Sequence, residues 1–236
     1  MATNSKKASE ATEEEVLAAI NEALESSRFA KLEAAERGLR ATPVADRSRA
    51  TFDAIIDTTA QVLDDVPLRD ITTHLIADRA EVNIATLYRY FADLEAVLVE
   101  FDLRFQRASL TGIAVMAARG AFTDDRRQWI EEMIDLATIV RTDTPGAIGI
   151  ARDGYAVPQV REITRAAEEA AASMVAVGLG YYAPGRPREE WEAAALTVIR
   201  SVSRCLDEAC ATRPADLEQV ELLKDLTERF FEPYFE

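Results

Sequence analysis

Apolar residues recur at intervals of three and four along most of the chain, which is the spacing of one face of an α-helix. The clearest stripe repeats from Phe52 to Leu63, and a longer one runs from Trp191 to Ala209. Apolar and polar positions nowhere alternate as they do in a half-buried strand, and the sequence has no internal repeat. The pattern predicts an all-α protein.

Capping residues and helix breakers predict where these helices begin and end. Thr12, Thr72, Asn83 and Asp93 each precede a helical stripe and carry a side chain that accepts hydrogen bonds from a helix N-terminus. Residues 12–40 are predicted to form two short helices or one bent helix, followed by a linker that contains Pro43. Beyond the long helix from Asp93, the predicted helices lie at about 124–141, between 144 and 158, and at 158–178, 191–209 and 214–231.

A helix followed by two short helices with a tight turn between them is the helix-turn-helix arrangement. The second short helix carries the stretch VNIATLYRYF, residues 82–91, whose apolar stripe is Val82, Leu87 and Phe91. The remaining large polar side chains are hard to bury, which argues against a plain helical hairpin. In helix-turn-helix proteins this helix reads bases in the major groove, and hydroxyl and basic side chains reach phosphates. The predicted DNA contacts are Asn83, Ile84, Ala85, Thr86, Tyr88, Arg89 and Tyr90.

Residues 71–98, ITTHLIADRAEVNIATLYRYFADLEAVL, resemble the TetR (tetracycline-repressor-like) family of transcriptional regulators. The matching residues are Thr72, Ile76, Ala77, Ala80, Val82, Thr86, Leu87, Tyr88, Tyr90, Phe91, Glu95 and Leu98. The resemblance covers about residues 49–100 and adds Thr72 and His74 to the expected DNA contacts. A surface histidine without a role is the alternative for His74. Glu81 departs from the usual glycine, and Leu94 from the usual lysine that meets a phosphate.

The resemblance implies an N-terminal helix-turn-helix domain and a larger C-terminal helical domain for ligand binding and dimerisation. We divide the chain into an extension and basic arm at 1–46, the DNA-binding domain at 47–105, and the ligand-binding and dimerisation domain at 106–236. The last two helices carry more apolar surface than one bundle needs, and on the resemblance they pair with the same helices of a second copy. A two-fold homodimer would match a palindromic site on double-stranded DNA.

The net charge of −15 argues against a protein that coats nucleic acid or anionic membranes non-specifically. Within residues 47–91 the acidic residues outnumber the arginines. Positive charges lie at and just before the start of this segment, at Arg37, Arg40, Arg47 and Arg49. We therefore predict that they form an arm that contacts the DNA backbone or minor groove, with Arg47 and Arg49 among the contacts.

The second half of the chain holds large apolar and aromatic residues that can line a cavity for a small, largely apolar effector. The predicted lining residues are Trp129, Met133, Tyr155, Met174 and Trp191. Plain core packing is the alternative for each of them. In the predicted mechanism the effector favours a conformer in which the long helix from Asp93 tilts, and a repressor then releases its operator.

Other functional classes have little support. The chain has no phosphate-binding glycine loop and no H-E-x-x-H motif, and His74 is its only histidine, so we predict no catalytic residues, no metal site and no cofactor. The longest apolar run, 170–183, is shorter than the roughly 20 residues of a membrane span. With only Cys205 and Cys210 and no apolar leader at the start of the sequence, we expect a cytoplasmic protein without a membrane partner. An all-α enzyme with a cryptic site, and a protein-binding regulator with little DNA affinity, stay as alternatives.

Overall fold

The computed structural model describes residues 11–35, 38–182 and 185–235. Over these residues the chain is all-α, as predicted, and forms eleven α-helices. They are α1 Glu13–Glu25, α2 Arg28–Ala34, α3 Asp46–Asp65, α4 Thr73–Arg79, α5 Ile84–Tyr90, α6 Leu94–Gly120, α7 Arg126–Asp143, α8 Ala147–Asp153, α9 Pro158–Tyr182, α10 Arg188–Ala211 and α11 Leu217–Phe231. Short 3₁₀ turns cover Leu68–Asp70, Gly154–Ala156 and Glu232–Tyr234.

Side-chain caps fix the helix starts at the predicted residues. Thr12 and Glu15 form a reciprocal capping box at α1, and Thr72, Asn83 and Asp93 each accept a hydrogen bond from the first turn of α4, α5 and α6. Segment 12–35 is two helices, α1 and α2, and not one bent helix. The main boundary error is at α9, which continues four residues beyond the predicted end at Gly178.

Helices α3, α4 and α5 pack together at one end of the molecule, and α6 leads from them into the C-terminal bundle of α6 to α11. Helices α6 and α9 share the most extensive contact between any two helices. Glycine allows this close approach: a Cβ at Gly178 would lie 2.2 Å from the backbone oxygen of Ala117. Helix α8 approaches α3 in the same way, because a Cβ at Gly149 would lie 2.1 Å from the oxygen of Leu63.

The N-terminal extension packs on the C-terminal bundle. Helix α1 contacts α6 and α9 through its buried residues Val16, Ile20 and Leu24, and α2 contacts α9. The Arg107 guanidinium on α6 lies 5.3 Å from the centre of the buried Phe29 ring and also pairs with Glu33. The extension is therefore part of the folded core over α1 and α2.

After α2 the chain reaches the end of the molecule that is formed by α3, α4 and α5. Leu39 forms an isolated antiparallel bridge with Phe91, and the backbone amide of Arg40 donates to the backbone carbonyl oxygen of Tyr90 at 2.8 Å. The Arg40 guanidinium donates to the Tyr88 carbonyl at 3.3 Å. Residues 38–40 are thus held against the end of α5, while Arg37 lies outside the described residues.

No helix among the described residues is long and apolar enough to cross a membrane.

Candidate DNA-reading surface and ligand cavity

The turn between α4 and α5 is built by buried apolar residues and one hydrogen bond between the helices. Ile76 and Leu87 are fully buried, and Thr73 Oγ1 lies 3.0 Å from Tyr88 Oη. Glu81 adopts a φ of 54°, the left-handed conformation that explains why a glycine is usual there. This geometry fixes the angle at which α5 leaves the turn.

The first turn of α5 presents small and polar side chains to solvent. Asn83 and Ala85 are exposed, Ile84 and Thr86 are half-buried, and the Asn83 side-chain oxygen accepts from the Ala85 amide at 2.8 Å. Thr72 and His74, at the start of α4, are exposed as well. The predicted base-contacting residues at the starts of α4 and α5 are therefore exposed or half-buried, and none of them is in the core.

Tyr90 is not on this surface, and the prediction that it is exposed and reaches DNA is wrong. Its side chain is only 2% exposed, since the ring packs edge-on against Phe52 and against Phe91. Its hydroxyl donates to the Ser48 carbonyl at 3.3 Å and accepts from Arg89 at 2.5 Å. Tyr90 thus joins the end of α5 to the start of α3. The sequence pattern missed this because Tyr90 lies one residue before the predicted stripe residue Phe91.

Positively charged side chains lie around Tyr90. The Arg89 guanidinium lies 4.6 Å from the Tyr90 ring centre, and Arg47 and Arg49 are exposed on either side of Ser48. Two acids of the 47–91 segment have ion-pair partners: Asp53 pairs with Arg104 at 2.8 Å, and Asp65 with Arg79 at 2.9 Å. Of the two arginines only Arg104 comes from outside the segment, so it offsets one of the acidic charges counted there.

Comparison with known proteins identifies this helical arrangement. Residues 55–101 match the family model described as bacterial regulatory proteins, tetR family. The segment of residues 55–101, from α3 into α6, thus belongs to the tetR family of bacterial regulatory proteins. Regulators of this family are transcription factors and not enzymes. A search of curated proteins gave no match.

Two solved structures show that the likeness extends along most of the chain. A TetR-family transcriptional regulator from Streptomyces coelicolor has 18% sequence identity and a TM-score of 0.60, with 80% of this chain and 100% of that chain covered. The fatty acid degradation regulator FadR from Bacillus halodurans has 14% identity and a TM-score of 0.58, with 79% and 96% covered. At these identities the likeness concerns the fold.

The C-terminal bundle encloses an apolar cavity of about 210 Å³. Helices α6 to α11 all contribute to its wall, and three of the predicted residues, Trp129, Met133 and Tyr155, line it. Trp129 is oriented by its indole N–H, which donates to the Met116 carbonyl at 2.8 Å. The cavity has the composition of a small-molecule site, mostly apolar with a few polar groups.

Met174 and Trp191 do not line this cavity, so the structure contradicts that part of the prediction. Met174 is fully buried on α9. The Trp191 ring packs instead near the C-terminal aromatic residues, with its centre 5.7 Å from those of Tyr234 and Phe235. Both residues are core residues, which was the alternative given by the sequence.

The polar part of the cavity wall was not predicted. Arg141 and Asp207, both largely buried, pair at 2.8 Å, and Asp207 also meets Arg204 at 3.3 Å. Glu168 lies beyond, 3.4 Å from Arg204. In the sequence these residues fall on three different helices with ordinary surface-like spacing, so only the packing of α7, α9 and α10 reveals them.

The buried carboxyl group of Asp102 contacts a residue of the cavity wall. Asp102 on α6 is 1% exposed, and its Oδ1 accepts from the cavity-lining Gln106 at 3.1 Å. Burial raises the pKa of Asp102 from 3.8 to about 7, against the opposing hydrogen bonds of Gln106 and Thr164. Asp102 is therefore largely protonated in the folded protein below neutral pH.

The raised pKa of Asp102 predicts a pH-dependent stability. Because the folded state holds this proton between pH 3.8 and about 7 while the unfolded chain has lost it, the contribution of Asp102 to stability declines as pH rises through that window. The variant Asp102→Asn cannot titrate at this position. We therefore expect its free energy of unfolding, relative to that of the wild type, to rise by about 2 kcal/mol from pH about 5.5 to pH about 8. Thermal unfolding of both proteins at the two pH values measures this. A difference that is the same at both values would contradict the raised pKa.

Proposed function

We propose that this regulator is a ligand-responsive repressor that releases its operator when a small, largely apolar molecule occupies the cavity. The observation that carries the proposal is the course of α6. Its first turns pack on α3 of the DNA-binding end, and its middle, at Phe105, Leu110 and Ile113, lines the cavity. One continuous helix therefore contacts both regions, and a ligand that favours a different tilt of α6 moves α4 and α5 with it.

In the proposed complex α5 enters the major groove. The side chains proposed to meet base edges and thymine methyl groups lie at the starts of α4 and α5, where they are exposed or half-buried: Thr72, His74, Asn83, Ile84, Ala85 and Thr86. Tyr88, Arg89, Arg47 and Arg49 contact phosphates. Leu94 packs partly on the core and supplies no charge, so the arginines around Tyr90 provide the main attraction for the backbone.

The test is fluorescence anisotropy of the purified protein on fragments of its own upstream DNA over a salt series. Saturable binding is expected, with an affinity that falls linearly with the logarithm of salt concentration because bound phosphates release counterions. Release of the bound fragment by a molecule selected for raising the thermal stability of the protein would support ligand response. Binding no tighter than to random DNA at low salt, with upstream and genomic fragments alike, would refute the proposal.

We further propose that the repressor is a homodimer through α10 and α11. Leu222 and Leu226 are 63% and 60% exposed, and their spacing places them on one face of α11. Contiguous exposed apolar side chains mark interaction surfaces, and these two leucines are proposed as part of one. Two copies related by a two-fold axis would present two α5 helices to half-sites about 34–36 Å apart.

The double substitution Leu222→Glu and Leu226→Glu is expected to yield monomers, because four carboxylates would be buried without partners at the two-fold interface. Since both side chains are exposed within one chain, the monomer should keep its fold. Light scattering measures the mass, and circular dichroism checks the helix content. Val115→Glu, at a residue 53% exposed on α6, is the control and should remain dimeric. A monomeric wild type, or a double variant that stays dimeric, would contradict this interface.

A further inference from the structure

A polar groove lies beside the apolar cavity, between α2, α9 and α10. It has a volume of about 720 Å³ and is lined by five arginines and three glutamates. The arginines are Arg28, Arg161, Arg165, Arg200 and Arg204. Tyr155, Glu168 and Arg204 line both spaces, so the cavity and the groove share one wall.

Three of the groove arginines are held by carboxylates. Glu168 pairs with Arg200 at 3.1 Å, Arg200 meets Glu169 at 3.6 Å, and Arg28 pairs with Glu162 at 2.8 Å. Arg204 has two carboxylate partners, Glu168 at 3.4 Å and Asp207 at 3.3 Å, and both distances exceed the roughly 2.7–2.9 Å of a close pair between guanidinium and carboxylate. Its guanidinium lies 4.1 Å from the centre of the Tyr155 ring, at the junction with the cavity.

The other two arginines give the groove a net positive charge. Arg161 donates to the Tyr155 carbonyl at 2.9 Å, and neither Arg161 nor Arg165 has an ion pair among the residues the structure describes. With five arginines against three glutamates, the groove is positive in a chain whose net charge is −15. A positive groove next to an apolar cavity fits a molecule with two chemically different ends.

We propose that the cavity and the groove together bind one amphipathic anion, with its apolar chain in the cavity and its phosphate or carboxylate head group at Arg161, Arg165 and Arg204. Apolar burial holds the chain, and the guanidinium groups donate charge-assisted hydrogen bonds to the anion. The volume of the groove leaves room for a head group larger than a single phosphate. This inference names the effector class and rests on the ligand response proposed above.

Binding to the protein without DNA tests the inference. The probes are dodecyl phosphate, dodecanoate, dodecanol and inorganic phosphate, each titrated in monomeric form while the fluorescence of Trp129, in the cavity wall, is followed. At least one of the two charged amphiphiles is expected to bind about tenfold or more tightly than dodecanol. Which one binds better distinguishes a phosphate from a carboxylate head group. Inorganic phosphate should compete with the preferred anion and not with dodecanol.

The variant Arg161→Gln with Arg165→Gln should remove the advantage of the anion and leave dodecanol binding unchanged. Arg165→Gln alone, at an exposed residue, should remove part of the advantage and serves if the double variant does not fold. Arg213→Gln, at an exposed arginine outside both spaces, is the charge-matched control and should bind like the wild type.

The inference is overturned if dodecanol binds as tightly as both anions, or if an anion and dodecanol bind at the same time at separate sites. It is also overturned if the Arg161 and Arg165 variants keep the full preference for the anion. Operator release is measured separately by anisotropy. Binding of the anion without operator release would leave the site standing and refute the effector role, whereas operator binding without any binding of the probes would refute the site alone.

Discussion

Ala85→Asp is expected to lower operator affinity by about 100-fold or more, since a carboxylate facing phosphates and base edges costs several kcal/mol. Ala85 is exposed and occupies the second position of α5, after the cap Asn83. An acidic residue in the first turn of a helix is favourable for the helix itself. The substitution should therefore leave the fold and its stability intact, so that a loss of binding reports on the interface alone.

Ala18→Asp supplies the control for this experiment. Ala18 is exposed on α1, and the substitution changes the net charge by the same amount far along the sequence from α5. We expect near wild-type operator affinity and an unchanged salt dependence for this variant. Fluorescence anisotropy of the wild type, Ala85→Asp and Ala18→Asp on the same operator fragment measures the three affinities. If Ala85→Asp binds like Ala18→Asp, the exposed edge of α5 does not meet DNA.

Two glycines of α9 are expected to respond in opposite directions to the same substitution. Alanine is favoured over glycine within a helix by about 1 kcal/mol at both positions. At Gly178 the added Cβ would lie 2.2 Å from the Ala117 oxygen, so α6 and α9 would have to separate. At Gly180 no atom lies within 4 Å of the added Cβ. We expect Gly178→Ala to lower the free energy of unfolding by about 2 kcal/mol or more, and Gly180→Ala to raise it by up to about 1 kcal/mol.

Thermal and urea unfolding at one fixed protein concentration measure both effects, since the stability of a dimer depends on concentration. The sign of the difference is informative, because helix propensity alone predicts a gain for both variants. Equal stabilisation at the two positions would mean that the contact between α6 and α9 tolerates a methyl group at Gly178. Ala117 lies on α6 just beyond the cavity-lining residue Ile113, so the operator affinity of Gly178→Ala should be measured as well.

The sequence by itself determined the all-α fold, the helix starts and the helix-turn-helix. Caps and apolar periodicity are local properties, so Thr12, Thr72, Asn83 and Asp93 could be placed without any tertiary contact. The left-handed backbone at Glu81 likewise follows from the tight turn itself. The stretch around Thr86 to Tyr88 carried the family resemblance for the same reason, since a short helix that reads DNA needs its residue types in a fixed local order.

Only the tertiary structure decided which faces meet. Tyr90 is buried because α3 supplies Phe52 and the Ser48 carbonyl, and residues 38–40 are held because the end of α5 offers free backbone groups. Arg141 and Asp207 form a buried pair although they are more than sixty positions apart in the sequence. The arginine groove joins Arg28 and Glu162, which are more than one hundred positions apart. A periodic pattern identifies the buried face of one helix, but it does not say which other helix covers that face. The cavity, the groove and the contact of the extension with the bundle all depend on that pairing.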